Sequence, residues 1–311
     1  MSAYLVSMAT YAGMFMILAL ALNLQWGLTG MVNFGVAGFY ALGAYTSGLL
    51  SAKAGWPLGA TIPAACLAGL AVGALVALLS MRLREDFLAI VTLGVGEMIR
   101  LIVLNEDQVT EGPRGLRIEA QPLGGVVPPE SYPLFYLGFV AVFVLVTFLV
   151  CERIRTGPMG RTLRAIREDD VVAGVLGKDV FGHRITVFAL GGLFMGLAGA
   201  LYAHYTQNIS PDVFMPMVAM FVWMSVIVGG AGNNRGLLIG AGTVILFLEG
   251  TRFMGDVVPW LDAEKMSALR IIAIGLLLIV TIRLRPRGLL PEPRFTYEEK
   301  DAAAPAMRAR A

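Results

Sequence analysis

Glu97 and Arg100 stand three residues apart in GEMIR, and Glu249 and Arg252 repeat the spacing in LEGTR. Both pairs lie in otherwise apolar stretches, where a lone charge at the bilayer centre costs about 3 kcal/mol or more. At helical spacing each acid reaches its own base, and the pair neutralises itself. Two readings stay open: an ion pair that fixes helix packing, or a polar edge on the path of a solute. Arg270, toward the end of the last apolar stretch, is long enough to snorkel to water.

The densest charge lies at 160–179, GRTLRAIREDDVVAGVLGKD, with Arg161, Arg164 and Arg167 followed by Glu168, Asp169 and Asp170. If 161–176 is helical, Leu163, Ile166, Val172, Ala173 and Leu176 leave one apolar side. Asp169 interrupts that side, which predicts a kink or two short helices. Gly177 stands where a left-handed cap would end the helix. Such a segment is too short to span a bilayer. It either rests on the membrane surface or inserts into a groove on a partner protein. Its mixed charge signs favour the protein.

Other chemistry lacks its residues. There is no GxxxxGK[ST], since Gly177-Lys178 is followed by Asp179, so the chain has no loop of that type to cradle ATP phosphates. There is no HExxH, and His183 and His204 each sit near a span end, read as interfacial rather than catalytic. Cys66 and Cys151 are read as small buried hydrophobes, with no CxxC spacing for a metal. No nucleophile stands beside a base at helical spacing. The glycines cluster instead, in GLTGMVNFGVAGFYALGAY and GGLFMGLAGALYA, where small residues let helices approach closely. Gly27 and Gly30, with Thr29 between, predict a broken helix, tolerated at membrane depth where it lines a cavity. Asn33 is the polar group placed at that cavity.

The elements that must hold these residues follow from composition. The chain is 57% hydrophobic and 15% charged, with mean hydropathy +0.73, against about 25% charged in soluble domains. A net charge of +2, with no basic–aromatic stripe, gives no footing for nucleic acid. Spanning a core of about 30 Å takes roughly 20 apolar residues. Segments near 3–26, 31–50, 57–81, 87–104, 133–151, 183–206, 214–229, 235–253 and 267–284 meet or approach this. The count is nine, in a range of eight to ten, because 31–50 starts in GLTGMVNFG and 214–229 is short and ends in a glycine cluster. The first segment has no basic residue ahead of it and is read as a span, not a cleaved leader. The fold class is therefore an all-α polytopic membrane protein.

Seven basic residues fill 152–184, and Arg283, Arg285 and Arg287 follow the last span, whereas 105–132 carries five acids and 207–213 no basic residue. The excess of Arg and Lys on cytoplasmic loops then places 152–184 and the C-terminus inside, and the N-terminus outside. Residues 1–290 form the membrane domain. The tail at 291–311, mixing Pro, Ala and both charge signs, is read as disordered.

The chain resembles the permease subunits of bacterial branched-chain amino acid importers of the ATP-binding-cassette class, the LivM-type subunit in particular. The matching stretches are GLTGMVNFGVAGFYALGAY, DFLAIVTLGVGEMIRL, GPRGL, GRTLRAIREDDVVAGVLGKD, ISPDVF, VIVGGAGNNRG and RPRGLL. They run in family order from about residue 20 to 290. The resemblance implies an importer permease fold of some eight to ten helices in the inner membrane, beside a second homologous permease. Two cytoplasmic ATP-binding subunits, which hold the ATP and magnesium, and a periplasmic substrate-binding protein complete the transporter. No cofactor is then expected on this chain. The 160–179 stretch corresponds to the family's loop that docks on the ATPase. Arg164, Ala165, Glu168, Ala173 and Gly177 match its recurrent positions, with Arg161 and Ile166 in the same stretch. Thr29, Asn33, Glu97 and Arg100 are the candidates for the translocation pathway. The chain has Val36 where many relatives carry histidine. Similar permeases serve urea and short amides, the alternative substrate class. An ion-coupled secondary carrier would need an unpaired acid near the midplane, and Glu97 has Arg100 beside it.

Overall fold

A computed structural model describes residues 2–80, 85–122, 127–257 and 263–293. The side chains of Arg252 and Arg270 and the tail 294–311 lie outside the described residues.

All nine expected segments are helices: α1 (Ser2–Leu22), α2 (Val36–Ala52), α3 (Leu58–Ser80), α4 (Glu85–Asn105), α6 (Tyr132–Thr156), α9 (Val180–Thr206), α10 (Pro216–Gly229), α11 (Asn234–Val257) and α12 (Ala263–Leu284). Three shorter helices join them: α5 (Asp107–Thr110), α7 (Pro158–Glu168) and α8 (Asp170–Val175). Among the described residues five helices are long and apolar enough to cross a bilayer by length and composition, and α10 and the Ile271–Leu284 part of α12 are shorter apolar helices. The molecule is a polytopic all-α membrane protein. The segments expected at 31–50 and 214–229 form the short helices α2 and α10, of 17 and 14 residues. Helix α2 starts at Val36 rather than near residue 31, because a non-helical stretch at 30–35 takes up the first residues of that apolar run.

Helix α9 forms the centre, packed against α1, α2 and α3. In lipid there is little hydrophobic drive between helices, so close van der Waals fit must hold them. Small residues supply it. A Cβ at Gly43 of α2 would stand 2.1 Å from the Gly196 carbonyl oxygen of α9, and one at Gly69 of α3 would stand 2.2 Å from that of Gly192. Helix α9 thus lies backbone to backbone against both neighbours. Helix α1 is the second inner element, its Met14 and Ile17–Leu22 buried against α6, α9 and α11.

The connections sort to two ends. At one end, strands β1 (Leu116–Arg117) and β2 (Asn208–Ile209) pair antiparallel, Leu116 opposite Ile209. Lys53 at the end of α2 donates to the Gln108 carbonyl there at 2.8 Å. The acid-rich and base-free loops of the sequence therefore lie together. At the other end, Leu289 and Leu290 amides bond to the carbonyls of Val228 and Gly229 at 2.9 and 3.1 Å. RPRGLL thereby folds onto VIVGGAGNNRG, on the side that also carries α7 and α8.

Candidate coupling surface and helix break

Gly157, in extended backbone, separates α6 from α7, and Pro158 opens α7 at a position that needs no amide donor. Gly160 lets the new helix sit on the old one: a Cβ there would be 2.2 Å from the Arg155 carbonyl oxygen. Leu163 and Ile166 are buried and anchor α7 to the bundle, while Arg161, Ala165 and Glu168 are exposed. Arg164 Nη1 donates to the Arg155 carbonyl at 3.3 Å. Burial pushes its guanidinium below the ordinary arginine value, and Glu292 works against that.

The expected interruption falls at Asp169, whose backbone is extended and whose carboxylate accepts from the Val172 amide at 2.9 Å, capping α8. Arg184 on α9 pairs with Asp170 at 3.0 Å and ties α8 down. Gly177 closes α8 as expected, at φ +77°. Its amide bonds to the Gly174 carbonyl at 3.0 Å, and the Lys178 amide bonds to the Ala173 carbonyl at 3.1 Å. The single apolar side read from the sequence does not survive this break. Ala173 faces inward at 2% exposure, whereas Val171, Val172, Val175 and Leu176 stand 72, 52, 84 and 72% exposed. The turn at Asp169 redirects α8, so its aliphatic side chains point away from the bundle at its charged end.

The break expected near Gly27–Gly30 follows α1 directly. Asn23–Gly27 form one π-turn, and Gly30 adopts φ +78° before the chain runs to α2. Asn23, Gln25, Thr29 and Asn33 are all buried. The groups freed by the break find partners within it and on α9 and α10. Gln25 Nε2 donates to the Phe188 carbonyl of α9 at 3.0 Å, and Asn33 Nδ2 to Gln25 Oε1 at 2.8 Å. Thr29 Oγ1 donates to the Gln25 carbonyl. Trp223 Nε1 of α10 donates to the Asn33 carbonyl, and the Gly35 amide to Asn33 Oδ1, at 3.0 and 2.8 Å. Asn33 is wholly enclosed by these partners in this conformation.

Two polar routes join the break to α7. Arg167 donates through Nη1 to the Gly27 carbonyl and through Nη2 to Glu292 Oε2, the latter at 2.8 Å. At the other end of the π-turn, Asn23 Nδ2 donates to Asn234 Oδ1 at 3.0 Å. Asn234 Nδ2 then donates to Glu152 Oε2 at 2.9 Å, and Glu152 pairs with Arg155 at 2.6 Å. Between α7, Trp26 and the C-terminal segment lies a cleft of about 1210 Å³ whose lining includes Arg161, Arg164, Arg167, Arg287 and Glu292. Glu292, just past Pro291 in the tail segment, is held here by Arg167.

Glu152, Arg155, Asn23, Gln25 and Asn234 are not among the candidates read from the sequence. The signal for the first two was present, since CERIR repeats the acid–base spacing of GEMIR. The GEMIR pair itself forms: Arg100 Nε donates to both Glu97 oxygens at 2.9 and 3.0 Å. The two side chains are 33 and 15% exposed on α4, apart from the break. Glu249 accepts from the Tyr4 hydroxyl through its carbonyl, at 2.8 Å, and through Oε2, at 3.1 Å. His204, read as interfacial, is fully buried between Ser47 Oγ at 2.8 Å and the Ala120 carbonyl at 3.0 Å.

Comparison with known proteins agrees with this architecture. A family model described as the permease component of branched-chain amino acid transport systems matches residues 4–282. The high-affinity branched-chain amino acid permease protein LivM of Escherichia coli K12 is 31% identical over 98% of this chain and 74% of its own length. A probable branched-chain amino acid permease, LivM of Methanocaldococcus jannaschii, is 28% identical over 94% of this chain and 95% of its own. The high-affinity branched-chain amino acid permease protein LivH of E. coli K12 is 25% identical over 92% of both. No solved structure matches the chain. A charged, helix-broken surface at one end of a glycine-packed bundle thus coincides with similarity along the whole membrane domain, and the chain belongs to the branched-chain amino acid transport system permease family.

Proposed function

We propose that this chain is the permease subunit of an ATP-driven importer that carries branched-chain amino acids across the bacterial inner membrane. The observation that carries the reading is the surface of α7–α8. Val171, Val172, Val175 and Leu176 are exposed on the same α7–α8 segment that exposes Arg161 and Glu168, and Arg167 of α7 reaches the polar network of the helix break. Such a surface fits a groove on a protein that lines aliphatic contacts with charge. In an importer of this family that protein is the ATP-hydrolysing subunit, present twice, where ATP and magnesium are held. A second permease completes the membrane unit, and a periplasmic binding protein delivers the substrate.

The basic end faces the cytoplasm in this reading. Nine crossings then put the N-terminus outside and the C-terminus inside, with β1 and β2 on the periplasmic face. A zwitterion with an apolar side chain needs a mostly apolar path with few polar groups. Glu97 and Arg100 are the half-buried pair available to border it, and Thr29 and Asn33 form the break whose rearrangement would open it. Uptake of labelled leucine and of labelled urea into vesicles holding the reconstituted complex tests the substrate class. Leucine uptake dependent on ATP supports the proposal, and urea uptake without leucine uptake overturns it.

A further inference from the structure

The π-turn Asn23–Gly27 is gripped at both ends by groups that belong to, or sit on, the coupling helix. Gly27, its last residue, offers its carbonyl to Arg167 of α7. Asn23, its first, is tied through Asn234 and Glu152 to Arg155. The Arg155 carbonyl in turn receives Arg164 of α7 and lies against Gly160. From the middle of the turn, Gln25 reaches the Phe188 carbonyl of α9 and the Asn33 amide, and Asn33 reaches Trp223 of α10. Hydrogen-bonded groups therefore connect α7 to α1, α9 and α10, with no slack loop between. A π-turn also holds one residue more than a regular turn, so it can pass between two hydrogen-bond registers. Coupling between distant sites needs such a two-state element, biased from both sides.

We propose that Arg167 is a positioning residue for transport, converting movement of the coupling helix into a register change of the π-turn and so into rearrangement of the break around Asn33. The proposal rests on the reading of α7–α8 as the ATPase-docking surface, and goes beyond it by separating docking from transmission. The planar guanidinium suits the task, because its two Nη groups hold the Gly27 carbonyl and the Glu292 carboxylate in one fixed fork.

The test uses the complete complex with its ATPase subunits, second permease and binding protein, in vesicles. Arg167→Ala, Arg167→Lys and Glu292→Gln are compared for ATPase co-purification, ATP hydrolysis and substrate taken up per ATP. Arg167→Ala is expected to retain the ATPase subunits and hydrolysis while uptake per ATP falls roughly tenfold or more, the scale of one charge-assisted hydrogen bond. Arg167→Lys, with one donor group in place of a fork, should fall between. Glu292→Gln keeps an acceptor for Arg167 but loses the charge that helps hold the fork, and should lose less uptake per ATP than Arg167→Ala. Unchanged uptake per ATP in Arg167→Ala overturns the proposal. So does an equal loss in Glu292→Gln, which would assign the effect to anchoring of the C-terminal segment. Release of the ATPase subunits by Arg167→Ala also overturns it, by making Arg167 part of the docking face. If Arg167→Ala lowers the unfolding temperature of the permease, Arg167→Lys decides: reduced uptake per ATP supports the proposal and wild-type uptake per ATP contradicts it. Failure of the docking reading shows separately, as retention of the ATPase subunits when the exposed α8 side chains are made acidic.

Discussion

Asn234 Nδ2 donates to Glu152 Oε2 at 2.9 Å, joining the start of α11 to the end of α6 across 82 residues of chain. Glu152 shares its carboxylate with Arg155, which is 8% exposed. Removing the acid strands a buried guanidinium. Glu152→Ala is therefore expected to destabilise the permease by about 3–5 kcal/mol, the range for breaking one partner of a buried pair. Asn234→Ala should cost about 1–3 kcal/mol through the unpaired amide of Asn23. Unfolding in detergent, followed by heat or denaturant, gives both values. The two changes share a network, so their sum should exceed the loss in the double variant.

The pair on α4 is more open, and its effect should be smaller. Glu97→Gln leaves Arg100 without its partner and is expected to cost about 1–3 kcal/mol, between the exposed and buried cases. Changing both residues to glutamine should cost less than Glu97→Gln alone. A Glu97→Gln permease with wild-type stability and uptake would show that the glutamate is solvated and dispensable.

Close packing of α9 against α2 and α3 has its own test. A valine at Gly196 would drive its Cβ to 2.5 Å from the Ala65 carbonyl oxygen, backbone that cannot swing aside. Gly196→Val is expected to prevent stable folding, read as loss of monodisperse protein in detergent. By contrast Gly94→Ala, where nothing lies within 4 Å, should leave folding intact.

Orientation is measured by labelling. A cysteine at Arg161 should react only from the cytoplasmic side of intact cells or vesicles, and one at Glu119 only from outside. Both positions are exposed at opposite ends of the bundle. Labelling of both from one side would contradict the nine-crossing arrangement.

The sequence carries some of this structure and conceals the rest for physical reasons. The long helices are legible because twenty-odd apolar residues in a row have few other ways to satisfy their backbone in lipid, and α2 and α10, at 17 and 14 residues, are legible as shorter apolar runs of the same kind. The start of α2 is misplaced because Met31, Val32 and Phe34 are as apolar inside a break as inside a helix, so hydropathy cannot separate the two. Gly177 is readable as a cap from local geometry alone, and the structure holds it at φ +77°. Ala173 and Val172 look alike in a helical projection, but their faces are decided by the turn at Asp169, and they finish at 2 and 52% exposure. Arg167 and Gly27 lie 140 residues apart, and Glu292 lies in a stretch whose composition reads as tail. Contacts of that range belong to the folded chain and leave no local pattern.

The central claim is that α7–α8 is where the ATPase subunits dock, and the exposed side chains of α8 test it most directly. Ala173 is buried, so Ala173→Asp would disturb the segment itself as well as any partner. Val175 and Leu176, exposed at 84 and 72%, can be changed without touching the bundle. The measurement is co-purification of the ATPase subunits with a Val175→Asp, Leu176→Asp permease, alongside its unfolding temperature. The expected result is an unfolding temperature equal to wild type with the ATPase subunits lost and uptake abolished. Full retention of the ATPase subunits and of uptake would mean that α8 is only a charged connection at the membrane surface.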